Sequence, residues 1–208
     1  MTLSVNQLQC SRGEISLFEG LTFELSAGQL IWLEGRNGSG KTTLLRSLCG
    51  LFLPDAGTIK WKGELTRSTE DTFYKDLFYL GHQNALKLDL NPVENLQVLS
   101  RLAGESVSEE QADEALSRFG LSGYEETPVR KLSQGQQRRV ALSRLLLSKA
   151  SLLILDEPFV ALDAAAVELL QSVIVTQVEQ GGMAILTTHQ ALPIPEEKLI
   201  RVSLDRYV

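Results

Sequence analysis

The sequence predicts an α/β fold with a mainly parallel sheet, and three observations support this prediction. Short, wholly apolar segments suit strands that are buried on both faces. Amphipathic segments with clear helix-start signals lie between them. A glycine-rich turn joins one such strand to one such helix. Because parallel strands need a long crossover, usually a helix, this alternation indicates a parallel sheet within one domain spanning residues 1–208.

The composition is that of an ordinary globular protein. Of the 208 residues, 43% are hydrophobic and 22% are charged, which argues against an intrinsically disordered chain. The formal net charge of −6 argues against a nucleic-acid partner, because nucleic-acid binding needs a basic surface. Cys10 and Cys49 lie far apart and form no C-x-x-C pair, so we expect reduced thiols in a cytosolic compartment.

The sequence predicts neither a secretory signal nor a transmembrane segment. The first ten residues lack the basic region and the long apolar stretch of a signal peptide. No apolar run approaches the ~18 residues that a membrane-spanning helix needs. We therefore expect any role at a membrane to depend on a partner protein.

The N-terminal part of the chain is predicted to form strands. Residues 3–8 begin one strand, and residues 21–25 alternate apolar and polar side chains as a half-buried strand does. The apolar run at 30–33 suits a strand buried on both faces. This run leads directly into the glycine-rich segment 35–42, which a leucine-faced helix follows.

The middle of the chain is predicted to be helical. Capping residues followed by glutamate or glutamine mark three helix starts, at 91–94, 108–111 and 133–136. Buried strands are then expected at 152–155 and 183–186, with a helix over 164–178 between them. Residues 84–149 are therefore predicted to form a helical subdomain inserted between strands.

Residues 35–42 match the pattern G-x-x-x-x-G-K-[ST], the phosphate-binding P-loop. Glycines let the backbone wrap closely around phosphate oxygens, Lys41 supplies a positive charge to the β- and γ-phosphates, and Thr42 places a hydroxyl on Mg²⁺. A glycine turn that arises by chance is disfavoured by its place between a buried strand and a helix. The predicted nucleotide-binding residues here are Gly35, Arg36, Asn37, Gly38, Ser39, Gly40, Lys41, Thr42 and Thr43.

Two adjacent carboxylates, Asp156 and Glu157, end the buried strand at 152–155. In a P-loop site Asp156 would bind Mg²⁺, and Glu157 would act as general base on the attacking water. The alternative is an ordinary acidic turn after a core strand. The P-loop elsewhere in the chain favours the catalytic interpretation.

The helix start at Ser133 is open to two interpretations. It is either a well-capped helix and nothing more, or an accessible helix end whose serine hydroxyl and free N–H groups meet an anion. The P-loop already places one helix end on the phosphates. A second is needed only if the nucleotide lies between two protein surfaces.

Together these motifs resemble those of ABC-type ATPases, the nucleotide-binding domains of a transporter superfamily. The P-loop, Gln83, the run 132–136, Asp156-Glu157, the turn 161–163 and His189 follow that family's order over nearly the whole chain. The resemblance implies a P-loop NTPase core with a mainly parallel sheet, an N-terminal antiparallel β part and an inserted helical subdomain. It also implies ATP and Mg²⁺ as cofactors.

In that family two copies pair head to tail. ATP then lies between the P-loop of one copy and the signature loop, residues 132–136, of the other. The resemblance therefore assigns Ser133, Gly135 and Gln136 to nucleotide binding across the dimer, with Asp163 at its seam. Metal ligands would be Thr42, Gln83 and Asp156.

Catalytic residues would be Glu157, Gln83 and His189. Gln83 would contact Mg²⁺ and the attacking water and transmit the nucleotide state to a membrane partner. His189 would contact the γ-phosphate and hold the water in line. The alternative for His189 is a buried core histidine after a strand.

A narrower resemblance is carried by residues 81–83, 136–142 and 186–190. They are similar to those of the heme exporter ATPases of bacterial cytochrome c maturation. This implies a peripheral ATPase on the cytoplasmic face of the inner membrane, working with integral membrane subunits so that hydrolysis releases a heme-carrying chaperone. His82 as a heme ligand is disfavoured, because it lies beside a phosphate site and has no companion ligand.

Two departures from the ABC pattern matter. Residues 9–13 contain no aromatic side chain to stack on adenine, so base selectivity is loose or Arg12 stacks instead. Gln134 stands where the signature usually has a glycine, but Ser133 and Gly135 are kept, and we expect activity to survive.

Three other functions compete with heme delivery. They are the ATPase of another small transporter, a nucleotide-gated assembly switch that transports nothing, and a small-molecule kinase. The kinase is disfavoured because it has no use for the loop 132–136. Glu157 and His189 favour turnover over a switch, but they do not identify the cargo.

Overall fold

The computed structural model describes residues 1–68 and 70–207. The strands are β1 (Thr2–Arg12), β2 (Ile15–Ser26), β3 (Leu30–Glu34), β4 (Ala56–Trp61), β5 (Glu64–Leu65), β6 (Leu77–Leu80), β7 (Leu152–Asp156), β8 (Met183–Thr187) and β9 (Leu199–Ser203). The helices are α1 (Lys41–Leu48), α2 (Glu70–Asp76), α3 (Pro92–Leu102), α4 (Glu109–Arg118), α5 (Gln134–Ser143) and α6 (Ala164–Glu179), with short 3₁₀ turns between some elements.

The central sheet of the described residues has the order β6-β7-β8-β3-β9, and each neighbouring pair is parallel. Every residue of β7 and β8 is buried, because helices and the second sheet cover both faces. The register pairs Asp156 with Thr187. Since parallel strands share one carboxyl edge, the loops after β3, β7 and β8 meet there. This confirms the predicted α/β fold.

The second sheet is antiparallel and has the order β2-β1-β4-β5. The long strand β1 pairs with β2 on one side and with β4 on the other. The strands expected at 3–8 and 21–25 are therefore confirmed, and the implied N-terminal antiparallel part is present. This sheet places Arg12, at the end of β1, beside the glycine-rich loop.

Buried apolar residues form three clusters in the described residues. The first lies between the two sheets around Leu45 and Ile154, and the second joins the other face of the parallel sheet to α5 and α6. The third lies among α3, α4 and α5 around Leu96 and Leu116. Helices α3–α5 thus have apolar contacts of their own, and the exact limits 84–149 of a subdomain stay a prediction.

The three predicted helix starts are confirmed. Asn91, Ser108 and Ser133 each cap a helix in a reciprocal capping box. Cys10 and Cys49 are buried free thiols, and burial raises the pKa of both. Both thiols are therefore held in the unreactive protonated form.

No helix in the described part of the chain has both the length and the apolarity needed to cross a bilayer.

Candidate functional site

The glycine-rich loop passes from β3 into α1 through a left-handed residue, Gly40, with φ 97°. A Cβ atom at this position would lie 3.1 Å from the ring of Phe18. The left-handed backbone therefore favours glycine, and a side chain here would also press on Phe18. The loop packs closely against β2 and leads into the N-terminus of α1, where the N–H groups of a helix favour an anion.

Lys41 folds back over the loop. Its Nζ donates to the carbonyl oxygens of Gly35 at 2.6 Å and Arg36 at 3.0 Å. Ser39 Oγ is buried and has no hydrogen-bond partner among the described residues. A cationic head beside an unpartnered hydroxyl suits a bound phosphate. The Arg36 side chain, in contrast, is 80% exposed and pairs with Asp205.

The carboxylate of Asp156 accepts a hydrogen bond on each oxygen. Thr42 Oγ1 donates to Oδ2 at 2.7 Å, and Thr187 Oγ1 donates to Oδ1 at 2.7 Å. Asp156 is 3% exposed. The adjacent hydroxyl and carboxylate oxygens of Thr42 and Asp156 form the kind of oxygen-donor set that Mg²⁺ prefers.

Glu157 has an unusual backbone for a non-glycine residue, with φ 46°. Its N–H donates to Thr187 Oγ1 at 2.8 Å, and its carbonyl oxygen accepts from Arg138 Nη2 at 2.9 Å. Both backbone polar groups are thus held by side chains. This strained turn places the carboxylate at the same edge of the sheet as the glycine-rich loop.

Two clefts meet at Lys41 and Glu157. The larger, of about 430 Å³, brings Asp156 and Glu157 against the P-loop and helix α1. Its loop and helix lining comprises Asn37, Gly38, Gly40, Lys41, Thr42 and Thr43. The smaller, of about 290 Å³, contains His189 and Thr187. Predicted phosphate, metal and catalytic residues from three separate segments of sequence, 35–43, 156–157 and 189, therefore line these two clefts.

His189 is exposed and lines the smaller cleft, which excludes a buried core histidine. The indole N–H of Trp32 donates to the carbonyl oxygen of Thr188 at 3.0 Å. This hydrogen bond holds the backbone of the residue that precedes His189. Sequence reasoning missed this contact, because it joins β3 to the residue after β8, 156 positions further along the chain.

Gln83 lies apart from the P-loop clefts. It is exposed and lines a third cavity, of about 500 Å³, together with Gln134 and Arg138. Its neighbour His82 lines both this cavity and the larger P-loop cleft. Glu157 borders all three spaces, so the cavity lined by Gln83 adjoins the two P-loop clefts at Glu157.

Ser133 does not face Lys41 in the same chain. Neither cleft lined by Lys41 includes Ser133, Gly135 or Gln136. Ser133 accepts from the N–H of Gln136 at 3.2 Å. A Cβ on Gly135 would lie 2.8 Å from the carbonyl oxygen of Ala161, so glycine lets the first turn of α5 approach the turn at Ala161 closely.

The loop residues after Ala161 belong to the same surface. Asp163 caps α6 by accepting from Ala166 N at 2.9 Å, and it pairs with Arg139 at 3.4 Å. The helix start at Ser133 and the turn at 161–163 are thus joined.

Arg12 and Leu17 line the larger P-loop cleft beside the glycine-rich loop, and Arg12 is exposed.

Arg138 was not singled out from the sequence. It is 5% exposed, and its guanidinium donates to the carbonyl oxygens of Gly81, near Gln83, and of Asp156, next to Glu157. A signal was available: Arg138 precedes Ala141, Leu142 and Leu145 at helical spacing, so a charge stands on the apolar face of α5. Sequence alone does not identify which acceptors such a charge meets.

A family model described as ABC transporter matches residues 18–160, more than half of the chain. A relative from Dechloromonas aromatica (strain RCB), named cytochrome c biogenesis ATP-binding export protein CcmA, is 53% identical over 193 residues, 93% of this chain and 95% of that one. A protein of the same name from Escherichia coli (strain K12) is 47% identical over 204 residues, 98% of this chain and 97% of that one.

Solved structures share the fold. An ABC transporter ATP-binding protein from Pyrococcus furiosus has a TM-score of 0.84 at 24% identity and covers 100% of this chain and 99% of its own. A dimeric ATP-binding cassette in a post-hydrolysis state, bound to ADP and Pi, has a TM-score of 0.79 at 22% identity, covering 90% and 88%. The chain belongs to the ABC transporter family, and both resemblances predicted from its motifs are confirmed.

Proposed function

Because the chain belongs to the ABC transporter family, we propose that it is the ATP-hydrolysing subunit of a transporter complex for cytochrome c biogenesis. The observation that supports hydrolysis most directly is the convergence of Lys41, Asp156, Glu157 and His189 on one edge of the sheet. A phosphate loop, a metal-type oxygen set and a base candidate are the parts that phosphoryl transfer to water needs.

The triphosphate would bind to the N–H groups of residues 35–43, with Lys41 as the cation for the β- and γ-phosphates. Thr42 and Asp156 would hold Mg²⁺, with Gln83 approaching from the third cavity when nucleotide is bound. Mg²⁺ supplies neutralisation of phosphate charge. The hydrogen bond of 2.7 Å between Thr42 and Asp156 supports this assignment, because it brings two hard oxygen donors together.

Glu157 would take a proton from the attacking water as the water oxygen bonds to the γ-phosphorus and the bond to the β,γ-bridging oxygen breaks. ADP and phosphate are then released. His189, exposed in the adjoining cleft, would hold the water in line. The fixed backbone at Glu157 supports this role, since both its N–H and its carbonyl are restrained.

The proposed active unit is a head-to-tail dimer. Ser133, Gly135 and Gln136 would contact ATP bound to the P-loop of a second copy. What supports this is that the clefts lined by Lys41 contain none of the three. The solved cassette with ADP and Pi is itself a dimer, and this chain shares its fold.

Glu157→Gln tests the proposed base. The amide keeps the size of the carboxylate but accepts no proton, so steady-state hydrolysis should fall about 10²- to 10⁴-fold while ATP still binds. Phosphate release and equilibrium ATP binding measure the two properties. Glu168→Gln, at an exposed position on α6, is the matched control and should keep full turnover. Normal phosphate release from Glu157→Gln would remove Glu157 as the base.

We further propose that the cargo reaction is heme delivery for c-type cytochromes, at the cytoplasmic face of the inner membrane and through integral membrane subunits. The support is the name shared by relatives at 47–53% identity, cytochrome c biogenesis ATP-binding export protein. Deleting the gene should abolish staining for covalently heme-linked cytochromes, and the wild-type gene should restore it where Glu157→Gln does not. Normal staining after deletion would favour the ATPase of another small transporter and leave the ATPase assignment intact.

Restoration by a variant that binds ATP without hydrolysing it would instead favour an assembly switch. That outcome separates a nucleotide-gated docking role from one that needs turnover.

A further inference from the structure

One buried cation, Arg138, lies between the segments of the proposed ATPase site. Its Nη1 donates to the carbonyl of Gly81 and to Asn84 Oδ1, both at 3.0 Å. Its Nη2 donates to the carbonyls of Asp156 at 3.1 Å and Glu157 at 2.9 Å. A single guanidinium therefore joins helix α5, the segment around Gln83 and the turn at Glu157.

The surroundings of Arg138 are unusual for an arginine. It is 5% exposed, and the described hydrogen bonds of its guanidinium are to carbonyl and amide oxygens rather than to a carboxylate. Burial lowers the pKa of Arg138, while the nearby charges of Asp156 and Glu157 oppose this. Because arginine stays protonated in proteins, a full charge is buried here without a direct ion pair.

The contacts of Arg138 are placed where a turn needs support. Glu157 has φ 46°, a conformation that a glutamate keeps only when its neighbours hold it. Thr187 holds its N–H, and Arg138 holds its carbonyl. Gly81 and Asn84 flank His82 and Gln83, so the same guanidinium also sets the distance between Gln83 and Glu157. Leu or Met would fill this space without binding any of the four acceptors.

We propose that Arg138 is a positioning residue for ATP hydrolysis, which holds the Glu157 turn and the Gln83 segment in fixed relation to helix α5. This inference rests on the proposed function and names a residue beyond the predicted catalytic set. Arg138 acts through Glu157 and Gln83, and its described hydrogen bonds do not include the phosphate loop.

The test compares Arg138→Ala with Arg144→Ala in the full chain. Arg144 is also largely buried, where its guanidinium lies 5.1 Å from the Phe78 ring centroid, but the described contacts do not include the site. For Arg138→Ala we expect kcat for ATP hydrolysis to fall about 10- to 100-fold, because misplaced catalytic groups lose rate. KM should stay within about threefold, since the phosphate loop is untouched. Arg144→Ala should keep kcat.

Chemical rescue separates positioning from general destabilisation. Arg138 lines the cavity of about 500 Å³, so free guanidinium can reach the space left by its side chain. Guanidinium chloride at about 10 mM, far below unfolding concentrations, should restore part of the kcat of Arg138→Ala and leave Arg144→Ala unchanged. Arg138→Lys should stay impaired, because one ammonium lacks the planar fork that reaches four acceptors.

An Arg138→Ala protein that binds ATP and melts as a folded chain but keeps its kcat would overturn the inference. So would an equal fall in both alanine variants without rescue. If Arg138→Ala fails to fold, Arg138→Gln, which keeps two amide donors, takes its place in the same comparison. Loss in Glu157→Gln together with full turnover in Arg138→Ala would leave the proposed function standing and remove only the role of Arg138.

Discussion

At the scale of single residues, the hydroxyl of Thr187 connects the two carboxylate residues of the site. It donates to Asp156 Oδ1 at 2.7 Å and accepts from the N–H of Glu157 at 2.8 Å. Thr187 is 1% exposed, so water cannot replace either hydrogen bond. The threonine therefore orients a metal-type carboxylate and holds the strained turn of the proposed base with one oxygen atom.

Thr187→Val should destabilise the protein and slow its turnover. The change keeps the shape of the side chain but leaves Asp156 Oδ1 and the N–H of Glu157 without their partner, at about 1–3 kcal/mol of unfolding free energy. Denaturant unfolding and phosphate release measure the two effects. Thr187→Ser, which keeps the hydroxyl, should recover most of both. A valine variant as stable and as active as the parent would contradict this interpretation.

Lys41→Ala should weaken nucleotide binding. The ammonium lies over the loop at 2.6 Å from Gly35 O, where it would meet phosphate oxygens. Losing a charged hydrogen-bond donor should reduce ATP affinity about 10- to 100-fold. Titration calorimetry checks this, with Lys60→Ala on the exposed face of β4 as the control. Unchanged affinity in Lys41→Ala would refute the phosphate-loop assignment.

At the scale of elements, helices α4 and α5 begin with the same capping box. In each, the serine Oγ accepts from the N–H three residues on at 3.2 Å, and the glutamine Oε1 accepts from the serine N–H at 2.9 Å. The local geometry is therefore equal. Only the α5 start touches the turn after Glu157, through the close approach of Gly135 to Ala161. Position in the fold, and not the cap itself, gives Ser133 its proposed second role.

This pair of caps gives a matched comparison of stability with activity. Ser108→Ala and Ser133→Ala should each lower the free energy of unfolding by about 1 kcal/mol, because each removes one N-cap. Only Ser133→Ala should also lower ATP turnover, since its hydroxyl would contact the nucleotide. Chemical denaturation and hydrolysis assays on both variants measure this. Equal turnover in the two would leave Ser133 as a structural cap.

At the scale of the whole molecule, the phosphate loop and Ser133 do not line the same P-loop cleft. Lys41 and Glu157 share clefts, but Ser133 lies outside both of them. A site completed by a second copy requires a symmetric pair in which each chain contributes to two nucleotides. Activity should then rise more steeply than linearly with protein concentration.

Mixing two inactive variants tests this arrangement. Lys41→Ala lacks a working phosphate loop, and Ser133→Arg blocks the signature loop, so each alone should hydrolyse little ATP. In an equal mixture, half of the dimers are mixed and each has one intact site, so about a quarter of parental activity should return. A mixture that stays as inactive as its components, although dimers form, would contradict a shared site. So would a strictly monomeric protein with full turnover.

The sequence by itself determined the phosphate loop, the three capping boxes, the buried strands that end at Asp156 and Thr187, and the family. These features depend on neighbouring residues, because glycine turns, caps and apolar runs are local in the chain. Residues 56–80, which form β4, β5, α2 and β6, carried no signal that the sequence analysis used. The edge strands β5 and β6, with 2 and 4 residues, are too short to show a clear period.

Only the tertiary structure decided which hydrogen bonds Thr187, Trp32 and Arg138 form in the candidate site. Their contacts join residues 31, 156 and up to 57 positions apart. Such contacts arise from the parallel register of β7, β8 and β3 and from the packing of α5 against the edge of the sheet. Hydrogen bonds between distant segments form only after the core has fixed the strands side by side. A pattern of neighbouring residues in the sequence therefore does not predict these contacts.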